Sequence, residues 1–351
     1  MADLLKINTF ADVYSNKSNM KLSKYIYLVF GLLAFVACGS SASKAPVEAV
    51  KNEQQQVVNV PVFDGDSAYK FVKMQTDMGP RVPNSEVHKK AATLLASELK
   101  RQGAEVQIQE FDALAYNRQL LKGYNIIGSY NPESANRILL FAHWDTRPYA
   151  DADPNKANHK TPIDGANDGA SGVGVLLEMA RQFGMQNPSV GVDILFFDLE
   201  DFGTPYFGTN TTGEEAYCLG SQYWAKNPHE RGYNARYGIL LDMVGDKNAR
   251  FSKDKYSMHF APSIVNKVWA TAQKLGYGNY FVNKPGSLLT DDHIYVNQYG
   301  IPSIDIIDYD NDREKGFADS WHTKDDTIEN IDPKTLKAVG QTLLEVIYSE
   351  K

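Results

Sequence analysis

The chain has 351 residues, 43% of them apolar and 23% charged, with 26 Gly and 15 Pro. That composition excludes a wholly disordered chain, a collagen-like repeat and a coiled-coil rod, and the length can hold one large α/β domain or two medium ones. A net charge of -7, from 43 acidic and 36 basic residues, is the wrong sign for nucleic acid as the main partner. With only two cysteines, Cys38 and Cys218, neither a disulfide scaffold nor a cysteine-built zinc site is available, so His, Asp and Glu must hold any metal.

Residues 1–19 are polar and form an upstream extension. Residues 25–38 form the one uninterrupted hydrophobic run, too short to span a bilayer comfortably but suited to the apolar part of a signal peptide. Lys21 and Lys24 supply its basic flank and Met20 a natural start, so 20–38 reads as an export signal. It ends Val36-Ala37-Cys38 before Gly39-Ser40-Ser41, which resembles a bacterial lipoprotein cleavage box, although Phe35 stands where Leu is usual. The expectation is lipidation at Cys38 and a periplasmic protein held to a bacterial membrane by that anchor alone. Ordinary signal cleavage and a retained anchor are the alternatives. Residues 39–60, rich in Ser, Ala, Lys, Gln and Val, read as a tether.

From residue 61 helical and strand-like segments alternate. Helical spacing runs over 66–78 and 85–102, the second with Ala91, Ala92, Leu94, Leu95 and Leu99 on one side and a stop at Gly103. Strands are expected at 104–111 and 119–129. Three short apolar runs, 138–142, 192–197 and 239–241, suit buried central strands, with a helix at 170–184 between the first two. Helices at 263–275 and 333–348 enclose a last strand at 303–307. This alternation predicts a single α/β domain over 61–351, built on a central, mostly parallel mixed sheet flanked by helices. Trp224 and Trp269 read as core, and Cys218 as a small buried residue.

Each of the three central runs ends in ionisable residues: His143-Trp144-Asp145, then Asp198-Leu199-Glu200-Asp201, then Asp242. Ligands in open α/β sheets bind at the carboxyl ends of the strands, so these groups are expected to meet in one crevice. Asp168, in Gly165-Ala166-Asn167-Asp168-Gly169, stands at a helix entry, while Asp291-Asp292-His293 and Trp321-His322 are expected on loops closing over the site. Taken singly, Asp168 reads as a helix cap and the others as ordinary polar residues. Together, so many carboxylates in one crevice would repel one another without a cation, and the histidines favour zinc over calcium or magnesium. The Asp-rich stretches 151–155 and 308–312 imitate the start of a calcium loop, but lack Gly at the sixth position and Glu at the twelfth, and read as solvated loops.

The order His-x-Asp, Asp-Gly, Glu-Asp, Asp, His resembles the zinc-dependent aminopeptidase clan over essentially all of 60–350. Within it the chain is similar to the glutaminyl cyclases, through Asp291-Asp292-His293-Ile294, through the run from Trp321 to Asn330, and through a long Gly- and Thr-rich insertion before Gly220-Ser221. The resemblance implies one zinc ion per chain held by Asp168, Asp201 and His322, with Asp201 where the family usually has Glu. It implies Glu200 as general acid and base, with Asp242 and Asp291 as a hydrogen-bonded carboxylate pair beside it. Trp321 would wall the substrate pocket, with Tyr206 in place of the family's further pocket Trp. His143, Asp145 and His293 would support the ligands without binding the ion. The implied reaction is cyclisation of an N-terminal glutaminyl residue of a peptide or protein to pyroglutamate, with release of ammonia. Two rivals stand: a two-zinc aminopeptidase using His143 and Asp242 for the extra ion, and an inactive lipid-anchored peptide-binding protein.

Overall fold

The computed structural model describes residues 59–351. The extension, the export signal, Cys38 and nearly all of the tether lie outside the described residues. Among the described residues no helix is long and apolar enough to cross a membrane.

The chain enters through α1 (Gly65–Thr76), whose N-cap Asp64 accepts hydrogen bonds from the Asp66 and Ser67 amides, and α2 (Glu86–Arg101), capped by Ser85. The α2 face carrying Ala91, Ala92, Leu95 and Leu99 is buried, as its spacing predicts. Strands β1 (Glu105–Leu114) and β2 (Leu120–Tyr130) follow as an antiparallel hairpin, the pairing that a short turn permits. Then β3 (Arg137–His143) passes through α3 (Ser171–Met185) to β4 (Gly191–Phe197), and this helical crossover makes the two strands parallel. After the short α4 (Leu219–Lys226), β5 (Gly238–Asp242) pairs parallel with β3 on its other side.

A small parallel pair, β6 (Phe251–Lys253) and β7 (Phe281–Pro285), encloses α5 (Lys255–Phe260) and α6 (Pro262–Lys274). Helix α7 (Asp292–Tyr299) leads into β8 (Ser303–Ile307), and α8 (Pro333–Tyr348) ends the fold. The six-stranded sheet has the order β1-β2-β4-β3-β5-β8, with the four strands from β4 to β8 parallel. All seven residues of β3 and of β4 and all five of β5 and β8 are buried, which is why these segments are predominantly apolar, with Asp193 and Asp305 as buried exceptions. Each such Val, Leu, Ile or Phe contributes roughly 1.5–3 kcal/mol on burial.

Three expectations need correction. Asp291-Asp292-His293 do not lie in a loop: Asp291 caps α7 and accepts from the Asp292 amide at 2.6 Å, so the pair begins a helix. The acidic stretches 151–155 and 308–312 are not wholly solvated, because Asp151, Asp153, Asp308 and Asp310 are buried. Arg147 draws Asp151 in through two bonds of 2.7 and 2.8 Å, and Arg313 binds Asp308 at 2.7 Å.

Candidate active site

The carboxyl ends of β3, β4 and β5 bring the expected residues together. His143 and Asp242 are the last residues of their strands, and Glu200 and Asp201 follow β4 by three and four positions. Four non-glycine residues here take left-handed backbone: Leu199, Cys218, Met243 and His322, with φ between 50° and 58°. Such strain persists only where surrounding bonds over-determine it. Asp145 supplies two of those bonds, accepting from the Glu200 amide at 3.0 Å and the Asp201 amide at 3.2 Å. The far side of the same corner is tied by the Cys218 amide on the Glu200 carbonyl and the Leu219 amide on the Leu199 carbonyl, both at 2.9 Å.

Asp168 is positioned from the tail. Asp326 accepts from the Asn167 amide at 2.7 Å and the Asp168 amide at 3.1 Å. Burial, with the Asp168 charge beside it, pushes the Asp326 carboxyl up to about 8. Gly172 lets α3 close onto β5, since a Cβ there would lie 2.2 Å from the Leu241 carbonyl oxygen.

Asp168, Asp201 and His322 form one compact, buried set whose ligand atoms all lie within 4.8 Å of one another. His322 Nε2 is 3.5 Å from Asp168 Oδ2 and 3.4 Å from Asp201 Oδ1. Those separations match the edge of a tetrahedron with metal–ligand distances of about 2.0–2.2 Å. Asp201 Oδ2 is buried without a hydrogen-bond partner, an arrangement that costs free energy unless a cation or other donor meets it. Burial works to raise the Asp201 carboxyl, but His322 and Arg147 outweigh it and hold it below the usual carboxylate range. The residues present therefore fit a metal ion.

His143 sits differently. Its Nε2 is 3.1 Å from both Asp242 Oδ1 and Asp168 Oδ1, and its Nδ1 is 3.6 Å from Asp145 Oδ1. Burial opposes its positive charge, but Asp145, Asp168 and Asp242 prevail and raise its pKa well above the ordinary histidine value. His293 contacts other carboxylates: it is wholly buried on α7 with Nε2 at 3.3 Å from Asp254 and Nδ1 at 4.0 Å from Asp305.

The expected hydrogen bond between Asp242 and Asp291 is absent. Asp242 is bonded to His143, Asp291 to the Asp292 amide, and Glu200 to Cys218. The carboxylates communicate through charge instead. Burial, then Asp242 and Asp292, push Asp291 well above its ordinary value; burial, with Asp291 and Asp201 adding and His143 opposing, does the same for Glu200.

A cavity of about 510 Å³ is lined by Asp151, Asp153 and His159 and by the aromatic rings of Tyr206, Phe317 and Trp321. Trp321 stacks on His322 at 3.9 Å between ring centroids and on Phe317 at 4.5 Å. Tyr206 is 71% exposed at the rim, its amide held by Asp151 at 2.8 Å. Trp224 and Trp269 are core, as expected. Sequence reasoning missed Arg147 and Asp151, which tie His322 and Asp201 together: Arg147 donates to Asp201 at 3.1 Å, and Asp151 lies 3.7 Å from His322. It also missed the contact between Cys218 and Glu200. The only signal for these was that Arg147 and Asp151 stand four apart and that Cys218 closes the insertion.

Residues 125–347 match the model of Peptidase family M28. The chain is 57% identical to a Zn-dependent exopeptidase of Parabacteroides distasonis, with a TM-score of 0.82 over 83% of this chain and 100% of that one. It is also 57% identical to a glutaminyl cyclase of Bacteroides thetaiotaomicron, with a TM-score of 0.81 over 84% of this chain and 100% of the other. A bovine glutaminyl-peptide cyclotransferase is 25% identical over 62% of this chain. The chain spans 54% and 64% of the lengths of the first curated relatives that it matches. Fold, site and matched span agree, and the chain belongs to Peptidase family M28.

Proposed function

We propose that this chain is a zinc-dependent glutaminyl cyclase that converts N-terminal Gln of peptides or proteins to pyroglutamate and releases ammonia. The observation that carries this reading is the 57% identity to a glutaminyl cyclase over 84% of this chain and 100% of the other. His143, Asp168 and Asp242 are close enough to hold a second ion, and this favours the two-zinc aminopeptidase as the second reading. The likeness to the glutaminyl cyclase weighs against it. That supports one ion on Asp168, Asp201 and His322, with His143 and Asp145 holding the ligands in place.

When bound, zinc supplies Lewis acidity at the side-chain amide oxygen of the substrate. Glu200 takes the proton from the attacking α-amine and delivers it to the departing ammonia; Asp242 and Asp291 orient the two nitrogens. Trp321 and Tyr206 flank the side chain and the residue after it. Because amine and carbonyl belong to one residue, the pocket has only to hold a folded-back conformer and exclude water. The test is selectivity. Gln-Ala should turn over, while Asn-Ala, which would need a strained four-membered ring, and Leu-p-nitroanilide should react negligibly. Efficient Leu-p-nitroanilide cleavage would favour the aminopeptidase.

We propose export and lipid attachment at Cys38 on the strength of the segment 20–38. Cys38→Ser should abolish fatty-acid labelling and release the protein from membranes. No labelling of the wild type would end this reading.

A further inference from the structure

We propose that Cys218 is a positioning residue for Glu200, its thiol donating a hydrogen bond that holds the proton-carrying carboxylate toward the substrate. This rests on the cyclase reading above and deepens it. Cys218 Sγ lies 3.2 Å from Glu200 Oε1, within the range of a thiol donor. Among the described residues it is the only side chain that donates to this carboxylate. The same residue's amide binds the Glu200 carbonyl, so one residue fixes both the main chain and the side chain of Glu200.

The backbone argues that the side chain is used. Cys218 has φ 58°, where a β-carbon costs about 1–2 kcal/mol and Gly would be relaxed. A merely space-filling residue gains nothing from that position. The site also needs a donor. Sγ of Cys218 and oxygens of Glu200 and Asp291 lie within 4.8 Å of one another, so the two carboxylates repel at close range. A neutral donor on Oε1 opposes that displacement and leaves Oε2 free for the substrate amine. A lysine or arginine there would instead lock the carboxylate in an ion pair and weaken it as a base. Burial, followed by the Glu200 and Asp292 charges, raises the thiol pKa well above its ordinary value, which keeps the proton on sulfur.

The experiment compares Cys218→Ala and Cys218→Ser with the wild type, on Gln-Ala, with zinc content and Tm measured alongside. Losing the donor in Cys218→Ala should lower kcat by about 3- to 10-fold, the worth of one such hydrogen bond, with KM changed less than about 2-fold and zinc retained. Cys218→Ser, whose hydroxyl donates to the same oxygen, should recover most of that loss. Wild-type kcat in Cys218→Ala, or a Cys218→Ser as slow as Cys218→Ala, overturns the proposal. Should Cys218→Ala fail to fold, the infrared S–H band decides. The wild-type minus Cys218→Ser difference isolates that band, which should be shifted down by the carboxylate and move up in Glu200→Gln; a free-thiol band unmoved by Glu200→Gln overturns the contact. If the wild type releases no ammonia, the cyclase reading fails while the band still reports the contact by itself.

Discussion

Glu200→Gln should retain its zinc and its fold while kcat falls by roughly 10²–10⁴-fold, the usual worth of a positioned general base. Gln preserves the length of the side chain and can still accept from Cys218, so what is lost is the capacity to carry a proton. The pH profile gives a second handle on the same residue. Glu200 must be unprotonated to accept a proton, and burial together with Asp291 and Asp201 raises its pKa well above the ordinary 4.5. Turnover should therefore be absent at acid pH and rise through a limb that follows the loss of the Glu200 proton. Asp291→Asn removes a like charge that raises this pKa, so in the residual activity the limb should move to lower pH. Normal turnover by Glu200→Gln would remove Glu200 from the chemistry.

His322→Ala should lose zinc and activity together. His322 supplies the one imidazole of the three-residue set, and Asp168 and Asp201 cannot complete a catalytic zinc site alone. The loss should be near complete, in contrast to Glu200→Gln, which separates activity from metal. Metal analysis of the metal-replete wild type should find about one zinc per chain. Two would place an ion among His143, Asp168 and Asp242, and an active, zinc-loaded His322→Ala would displace His322 from the set.

Much of this site was legible because its order along the chain follows the strands. The runs at 138–142, 192–197 and 239–241 are apolar enough to be buried on both faces, and whatever follows a buried parallel strand emerges at the ligand-binding edge. His143, Glu200, Asp201 and Asp242 could thus be grouped without coordinates. Helices α4, α5 and α7 escaped because six to eight residues hold too few turns to show a periodicity, and β6 has only three residues. The acidic stretches 151–155 and 308–312 were misread for another reason. An Asp run looks solvated unless its cation is known, and here Arg147 and Arg313 are folded back onto Asp151 and Asp308. The Cys218–Glu200 contact depends on where a long insertion returns, and no local pattern encodes that return.

The cyclase account is tested most directly by the products from Gln-Ala. The purified metal-replete protein should release one ammonia for each peptide consumed and leave pyroglutamyl-Ala, with the peptide bond intact and no free Ala formed. Free Gln and free Ala in equal amounts, without ammonia, would contradict the account and make this chain an aminopeptidase.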